Sequence, residues 1–142
     1  MQQRYVGNSG LRVSALSLGT MSWSGDTDEQ DASEILRTFI DGGGKLIDTA
    51  ASYADGRAEA MIGSLLGDVV SRTEVCISTK AGMSTSDGRR TVDTARHALT
   101  SGTGGSLARR VPDRVEIGGA QAGVGNDALE GTLAGDEGGL RG

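Results

Sequence analysis

The stretch Lys45-Leu46-Ile47-Asp48-Thr49-Ala50-Ala51-Ser52-Tyr53 joins an apolar, strand-like run to a polar loop, with an aspartate at the junction. A second apolar run, Val75-Cys76-Ile77-Ser78-Thr79-Lys80, ends on a lysine. Asp48, Tyr53 and Lys80 therefore lie at, or just past, the ends of two successive predicted strands. Parallel strands bring their carboxyl ends to one edge, where α/β folds place their chemistry, so we expect these three side chains to converge.

Strand-like and helix-like segments alternate along the rest of the chain, with short loops between them. The predicted segments, in chain order, are a hairpin over residues 2–14, a strand over 15–20, a helix starting within 26–29 and stopped by Asp41-Gly42-Gly43-Gly44, a helix over 58–66, a third helix from residue 91, a strand over 114–117 and a helix over 127–133. This alternation favours an α/β fold of parallel strands joined by right-handed crossovers.

Composition narrows the class of protein. A net charge of −5 over 142 residues argues against a nucleic-acid partner or an anionic membrane surface. The sequence contains neither a secretory signal at its start nor the ~20 apolar residues of a membrane span. One cysteine, Cys76, forbids an internal disulfide and fits a reducing compartment, so the predicted location is cytoplasmic.

Glycine is unevenly distributed. Of 24 glycines, 12 lie in residues 1–100 and 12 in residues 101–142. Glycine raises the entropic cost of ordering helices and strands, so the last third is predicted to be the least stable part of the chain. Aromatic residues make up only 3% of the sequence, which predicts a thin hydrophobic core.

Other candidate sites are weaker. Neither glycine cluster of the last third completes a phosphate-binding G-x-G-x-x-G motif after a strand, and no set of residues with metal-ligand spacing is visible. The single histidine, His97, lies within the predicted third helix, where a solvated position is favoured over catalysis. Trp23 follows the first predicted strand of the sheet, and both a packed aromatic and a substrate-pocket wall stay open for it.

The motifs, taken in order, resemble the aldo-keto reductase family. The stretches that carry the resemblance are Arg4-Tyr5-Val6-Gly7-Asn8-Ser9-Gly10-Leu11-Arg12-Val13-Ser14, Leu16-Ser17-Leu18-Gly19-Thr20-Met21, Leu46-Ile47-Asp48-Thr49-Ala50 leading to Tyr53, Glu59 with Ile62-Gly63, and Ser78-Thr79-Lys80. The likeness is close over residues 1–99 and weaker over the glycine-rich residues 101–142.

The resemblance implies a partial (β/α)8 TIM barrel, with an N-terminal β-hairpin and about four of the eight β/α units. Residues 1–142 would then be the N-terminal portion of an NADP-dependent oxidoreductase domain about twice as long. It also implies NADPH as cofactor and a small aldehyde or ketone as substrate.

The resemblance further assigns roles to particular residues. Tyr53 would protonate the carbonyl oxygen, Lys80 would place a positive charge beside the phenolate, and Asp48 would hold Lys80. The positions expected near the nicotinamide are Gly19, Thr20, Met21 and Asp48, and Trp23 would line the substrate pocket.

Two features predict impaired turnover. The resemblance places a histidine after the fourth strand, where this sequence has Gln121, and the cofactor-phosphate segments of the family lie in its C-terminal half. The alternative is a non-enzymatic barrel fragment that self-associates or aggregates through open strand edges. A small flavodoxin-like domain is a third interpretation, disfavoured by the missing phosphate loop.

Overall fold

The computed structural model describes residues 1–86, 89–93, 95, 101, 105 and 116–120. Its elements, in chain order, are β1 (Gln3–Tyr5), β2 (Arg12–Ser14), β3 (Ser17–Gly19), α1 (Glu29–Asp41), β4 (Leu46–Asp48), a 3-10 turn (Tyr53–Gly56), α2 (Arg57–Leu65), a second 3-10 turn (Arg72–Glu74), β5 (Cys76–Ala81), β6 (Met83–Ser86), β7 (Arg89–Val92) and β8 (Ile117–Ala120). The predictions for His97, Gln121, the helix over 127–133 and most of residues 101–142 fall outside these residues.

Four strands form a parallel sheet in the order β3-β4-β5-β8. Pairing aligns Gly19 with Asp48, Asp48 with Ser78, and Ser78 with Ile117. The predicted parallel α/β order is therefore confirmed. The fourth strand lies beside β5 as expected, but its described part begins at Ile117, at the end of the predicted segment.

The two helices cover one face of this sheet. Ile47 and Ile77, which are fully buried, pack with Leu36 of α1 and Ile62 of α2 in a single core cluster. Burial alternates along β5, so Ile77 and Thr79 point into this core while Ser78 and Lys80 point to the opposite, half-buried face. The polar residues at the strand ends therefore share the face that the helices leave open.

Local chemistry sets the ends of α1. The Asp28 carboxylate accepts a hydrogen bond of 2.9 Å from the Asp31 backbone N–H and caps the first turn. At the other end the chain turns through Gly43, whose φ is +80°. A Cβ at Gly44 would lie 2.5 Å from the Phe39 ring, so a larger residue there would require the ring to move.

The β1–β2 hairpin is tied to the amino ends of the sheet. The Ser14 Oγ accepts hydrogen bonds from the backbone N–H groups of Lys45 (2.9 Å) and Leu46 (3.1 Å) at the start of β4. Gln3 Nε2 donates to the Gly43 carbonyl at 3.0 Å. These contacts connect the predicted hairpin to the first β/α unit.

An ion pair at the same end of the sheet joins the second 3-10 turn, which precedes β5, to Glu116, which precedes β8. Arg72 Nη2 lies 2.8 Å and 3.0 Å from the two Glu116 carboxylate oxygens. Glu116 Oε2 also accepts from the Ile77 backbone N–H at 2.8 Å. The Glu116 carboxylate thus takes the place of a backbone acceptor for β5 at the point just before β8 begins. This contact fixes the register of the two strands.

The prediction of a third helix from residue 91 is wrong at its start. Thr91 and Val92 belong to β7, which pairs with β6 in an antiparallel hairpin directly after β5. Gly82, with φ +97°, turns the chain out of β5, and the Asp93 N–H closes the hairpin on the Gly82 carbonyl at 2.7 Å. Asp93 and Ala95 are not helical either, Ser101 and Gly105 are helical, and the other residues of that predicted helix lie outside the described ones.

Candidate active site

The end of β4 and the end of β5 place an aspartate and a lysine side by side. Lys80 Nζ lies 2.7 Å from both carboxylate oxygens of Asp48 and 2.9 Å from the Thr49 carbonyl oxygen. An ammonium group has three N–H donors, and these three acceptors match them. The side chains keep 26% exposure for Lys80 and 31% for Asp48, so the pair stays open to small molecules.

Tyr53 completes this cluster. Its ring centroid lies 5.4 Å from Lys80 Nζ, within the range of a cation–π interaction. The backbone holds the turn close to β5, because the Ala51 N–H donates to the Lys80 carbonyl at 3.0 Å. The structure therefore brings Asp48, Tyr53 and Lys80 together at one rim, while their roles in a reaction stay a prediction.

The 3-10 turn that carries Tyr53 is strained. Ala54 and Asp55 adopt φ values of +48° and +55°, in the left-handed region that residues with a side chain rarely occupy. That region costs roughly 1–2 kcal/mol per residue. Arg57 Nε donates to the Ala54 carbonyl at 2.9 Å and supports the turn from its far side. Such strain persists only where surrounding contacts over-determine the backbone.

The predicted cofactor positions on the β3 side differ in exposure. Thr20 is fully buried, and both its backbone N–H and its Oγ1 donate to the Asp48 carbonyl at 3.1 Å. It therefore supports Asp48 from behind. Gly19 is exposed, with open space where a Cβ would project, and the Met21 side chain is 74% exposed.

Trp23 does not form an open pocket wall in the described structure. It is 2% exposed and belongs to the core cluster together with Leu36 and Ile62. The Trp23 N–H donates to the Thr20 carbonyl at 3.1 Å, so a short turn connects Trp23 to the end of β3. Its burial supports the packed-aromatic alternative over the predicted contact with substrate.

Two buried polar residues behind the rim were not assigned a role from the sequence. Glu59 of α2 is fully buried and its Oε1 accepts a 2.7 Å hydrogen bond from the Thr79 hydroxyl, which is itself 1% exposed. The sequence does contain a signal for the burial of Glu59. This residue lies three positions before Ile62, so its carboxyl group falls on the apolar face of the predicted helix. Thr79 carries no such signal beyond its place before Lys80.

Within the described residues there is no group of three or more side chains able to hold a metal ion. Among the same residues, no helix combines the length and the apolar character needed to cross a membrane.

Comparison with known proteins matches this chain to a family model and to several named relatives. The profile described as "Aldo/keto reductase family" matches residues 15–103. A protein of Oryza sativa subsp. japonica named "Probable voltage-gated potassium channel subunit beta" is 34% identical over 119 residues, which are 82% of this chain and 36% of that protein. "Uncharacterized oxidoreductase YrpG" of Bacillus subtilis is 32% identical over 126 residues, covering 82% of this chain and 39% of that protein.

Solved structures agree on the fold. The holo form of an aldo-keto reductase from Bacillus halodurans superposes with a TM-score of 0.81 at 28% identity, over 96% of this chain and 45% of that one. Such structures are (β/α)8 barrels, so the predicted partial barrel is confirmed. The chain spans 36% to 45% of the length of the relatives named above.

Proposed function

The chain belongs to the aldo/keto reductase family, and from this membership we propose that its rim cluster reduces the carbonyl group of small aldehydes or ketones to an alcohol. The observation that carries the proposal is the Lys80 ammonium, held by Asp48 and Thr49 and lying 5.4 Å from the centre of the Tyr53 ring. We further propose residues 1–142 as the N-terminal portion of such a domain, with residues 101–142 as its glycine-rich part.

Carbonyl reduction adds a hydride to the carbon and a proton to the oxygen. In our proposal Tyr53 donates the proton and is left as a phenolate, and the Lys80 charge stabilises that phenolate. The three donors of Lys80 already face Asp48 and Thr49, so its influence on Tyr53 acts through charge. Asp48 keeps the ammonium in place and, with Thr20 behind it, makes the arrangement rigid.

The described residues fit the reactive end of a nicotinamide cofactor. Family members generally use NAD(P)H, which supplies the hydride when bound. The open space at Gly19 lies beside Asp48, its partner in the pairing of β3 with β4, and the exposed Met21 follows two residues later in the chain. We propose that these residues contact the nicotinamide, and that NADPH is the form used.

The first test is a reductase assay on the purified chain, following NADPH consumption with a small aromatic aldehyde. We expect a slow rate above the protein-free background, because the chain matches only 36% and 39% of the length of the two relatives named above. Tyr53→Phe should lower this rate to the background, since positioned proton donors contribute ~10²- to 10⁴-fold. NADH in place of NADPH tests the choice of cofactor.

The chain offers a matched control in Tyr5, whose side chain is 65% exposed on β1. Tyr5→Phe removes the same phenol oxygen and should keep the rate. Absence of any rate above background, or a rate that survives Tyr53→Phe, would contradict the proposed function.

Self-association is a second candidate function, and the β3 edge of the parallel sheet favours it. Within the described residues, β3 pairs only with β4, and Leu16 directly before it is 65% exposed. An unpaired strand edge beside an apolar side chain is a template for pairing with another chain.

We expect light scattering after size-exclusion chromatography to show dimers or larger species, and Leu16→Glu to shift them to monomers. Ile35→Glu, at an apolar residue 42% exposed on α1, is the matched control and should leave the size unchanged. A monomer at high protein concentration would dismiss this candidate.

A further inference from the structure

The segment that carries Tyr53 is anchored to β5 at both of its ends. On its N-terminal side, the Ala51 N–H donates to the Lys80 carbonyl at 3.0 Å. On its C-terminal side, the Thr79 hydroxyl donates to Glu59 Oε1 at 2.7 Å. The two anchor points on β5 are adjacent residues, and Tyr53 lies between the two anchored positions in the sequence.

The second anchor is buried, unlike the cluster it supports. Glu59 is fully buried and Thr79 is 1% exposed, whereas Lys80 and Asp48 keep about a quarter to a third of their side-chain surface. Because Thr79 and Lys80 point to opposite faces of β5, this hydrogen bond lies on the other side of the strand from the Lys80 side chain. A buried hydrogen bond to a carboxyl group is also among the stronger ones in a protein.

Between the anchors lie the two strained residues, Ala54 and Asp55. A free turn of this kind would relax to negative φ, and doing so would change the direction in which the chain leaves Tyr53. Besides the Arg57 Nε bond to the Ala54 carbonyl inside the turn, the contacts that oppose relaxation are those that fix both ends of the segment. The Ala51 bond fixes one end, and Glu59 fixes the first turn of α2 at the other.

We propose that Glu59, through its hydrogen bond to Thr79, is a positioning residue that keeps the Tyr53 turn in its left-handed form and so keeps the Tyr53 ring beside Lys80. This inference deepens the proposed reductase function and rests on it for its catalytic consequence. Its structural part, the coupling of Glu59 to the Tyr53 turn, can be measured on the chain with no turnover at all.

The test uses Thr79→Val, which keeps the shape of the side chain and removes the donor. NMR on the full-length labelled chain would follow two signals: the amide–Hα coupling of Ala54, which reports its φ, and hydrogen exchange of the Ala51 amide. We expect Ala54 to leave positive φ and Ala51 to exchange roughly tenfold faster, from loss of a strong buried hydrogen bond. Amides in α1 should exchange at an unchanged rate.

Two control variants distinguish a loss of positioning from a general loss of stability. Thr79→Ser keeps the hydroxyl and loses a buried methyl, so it should restore the Ala54 coupling despite lower stability. Thr49→Val removes another fully buried threonine hydroxyl, one that has no hydrogen-bond partner among the described residues, and should change neither NMR signal.

The outcomes separate the inference from the function. If Thr79→Val leaves Ala54 at positive φ and Ala51 protected, the positioning role of Glu59 is wrong, whatever the assay shows. If both NMR signals change but the wild-type chain shows no Tyr53-dependent rate, the coupling stands and the reductase function fails. Where turnover is present, Thr79→Val should lower kcat more than it changes KM, and Thr79→Ser should recover kcat.

Discussion

Lys80→Met is expected to lower the reductase rate by roughly 10²- to 10⁴-fold, the range that positioned proton-transfer groups contribute. Methionine keeps most of the apolar stem but removes the ammonium, so no positive charge faces the Tyr53 ring 5.4 Å away. The same change leaves both carboxylate oxygens of Asp48 without the donor that now lies 2.7 Å from each. The measurement is NADPH consumption beside the protein-free background.

The variant should also lower the free energy of unfolding by about 1–3 kcal/mol, since a half-buried carboxylate loses its partner. Adding Asp48→Asn removes the unpaired charge, so the double variant should be more stable than Lys80→Met alone while remaining inactive. Equal stability of the single and double variants would show that the unpaired Asp48 carboxylate does not destabilise the Lys80→Met protein. An unchanged rate in Lys80→Met would remove the lysine from the proposed mechanism.

Ile62→Ala is expected to have the largest effect on stability, lowering the free energy of unfolding by about 2–5 kcal/mol. Ile62 is fully buried between α2 and the sheet, in contact with the cluster that contains Ile47, Ile77 and Trp23. With aromatic residues at only 3% of the sequence, few large side chains are available to close the cavity. Such a loss is a large part of the ~5–15 kcal/mol that stabilises an ordinary domain.

Urea unfolding measures this directly, with Trp23 as a built-in probe because it is the one tryptophan of the chain and lies in the same core. Ile35→Ala is the matched control. It removes the same atoms from a helix, but at a position 42% exposed, and should change stability by less than about 0.5 kcal/mol. Similar losses in the two variants would show that the core does not depend on Ile62.

Much of the fold could be predicted from local pattern. The hairpin, the apolar runs that became β4 and β5, and the helical spacing that became α1 and α2 each depend on residues close in sequence. Strand order followed, because short crossovers between alternating strands and helices leave few topologies. The family resemblance then identified the barrel, and the comparisons confirmed it.

The error at residue 91 arose where local pattern allows two structures. Thr91 and Val92 could begin a helix or continue a strand, because so short a stretch fits either periodicity, and pairing with β6 decided for the strand. For Trp23 the sequence left both a pocket wall and a packed aromatic open, and its place in the core cluster with Leu36 and Ile62 favours the packed aromatic. Leu36 and Ile62 lie on helices distant from Trp23 in the sequence, so composition and periodicity could not settle that choice.

Periodicity and chain direction are local properties, so the order of strands and helices, and with it the polar residues at the carboxyl ends of β4 and β5, follows from the chain alone. How those residues are held depends on tertiary packing. It directed the Lys80 donors to Asp48 and Thr49, and it set Glu59 of α2 against Thr79 of β5. Those contacts join segments about 20 to 30 residues apart, and their geometry depends on how the helices pack against the sheet.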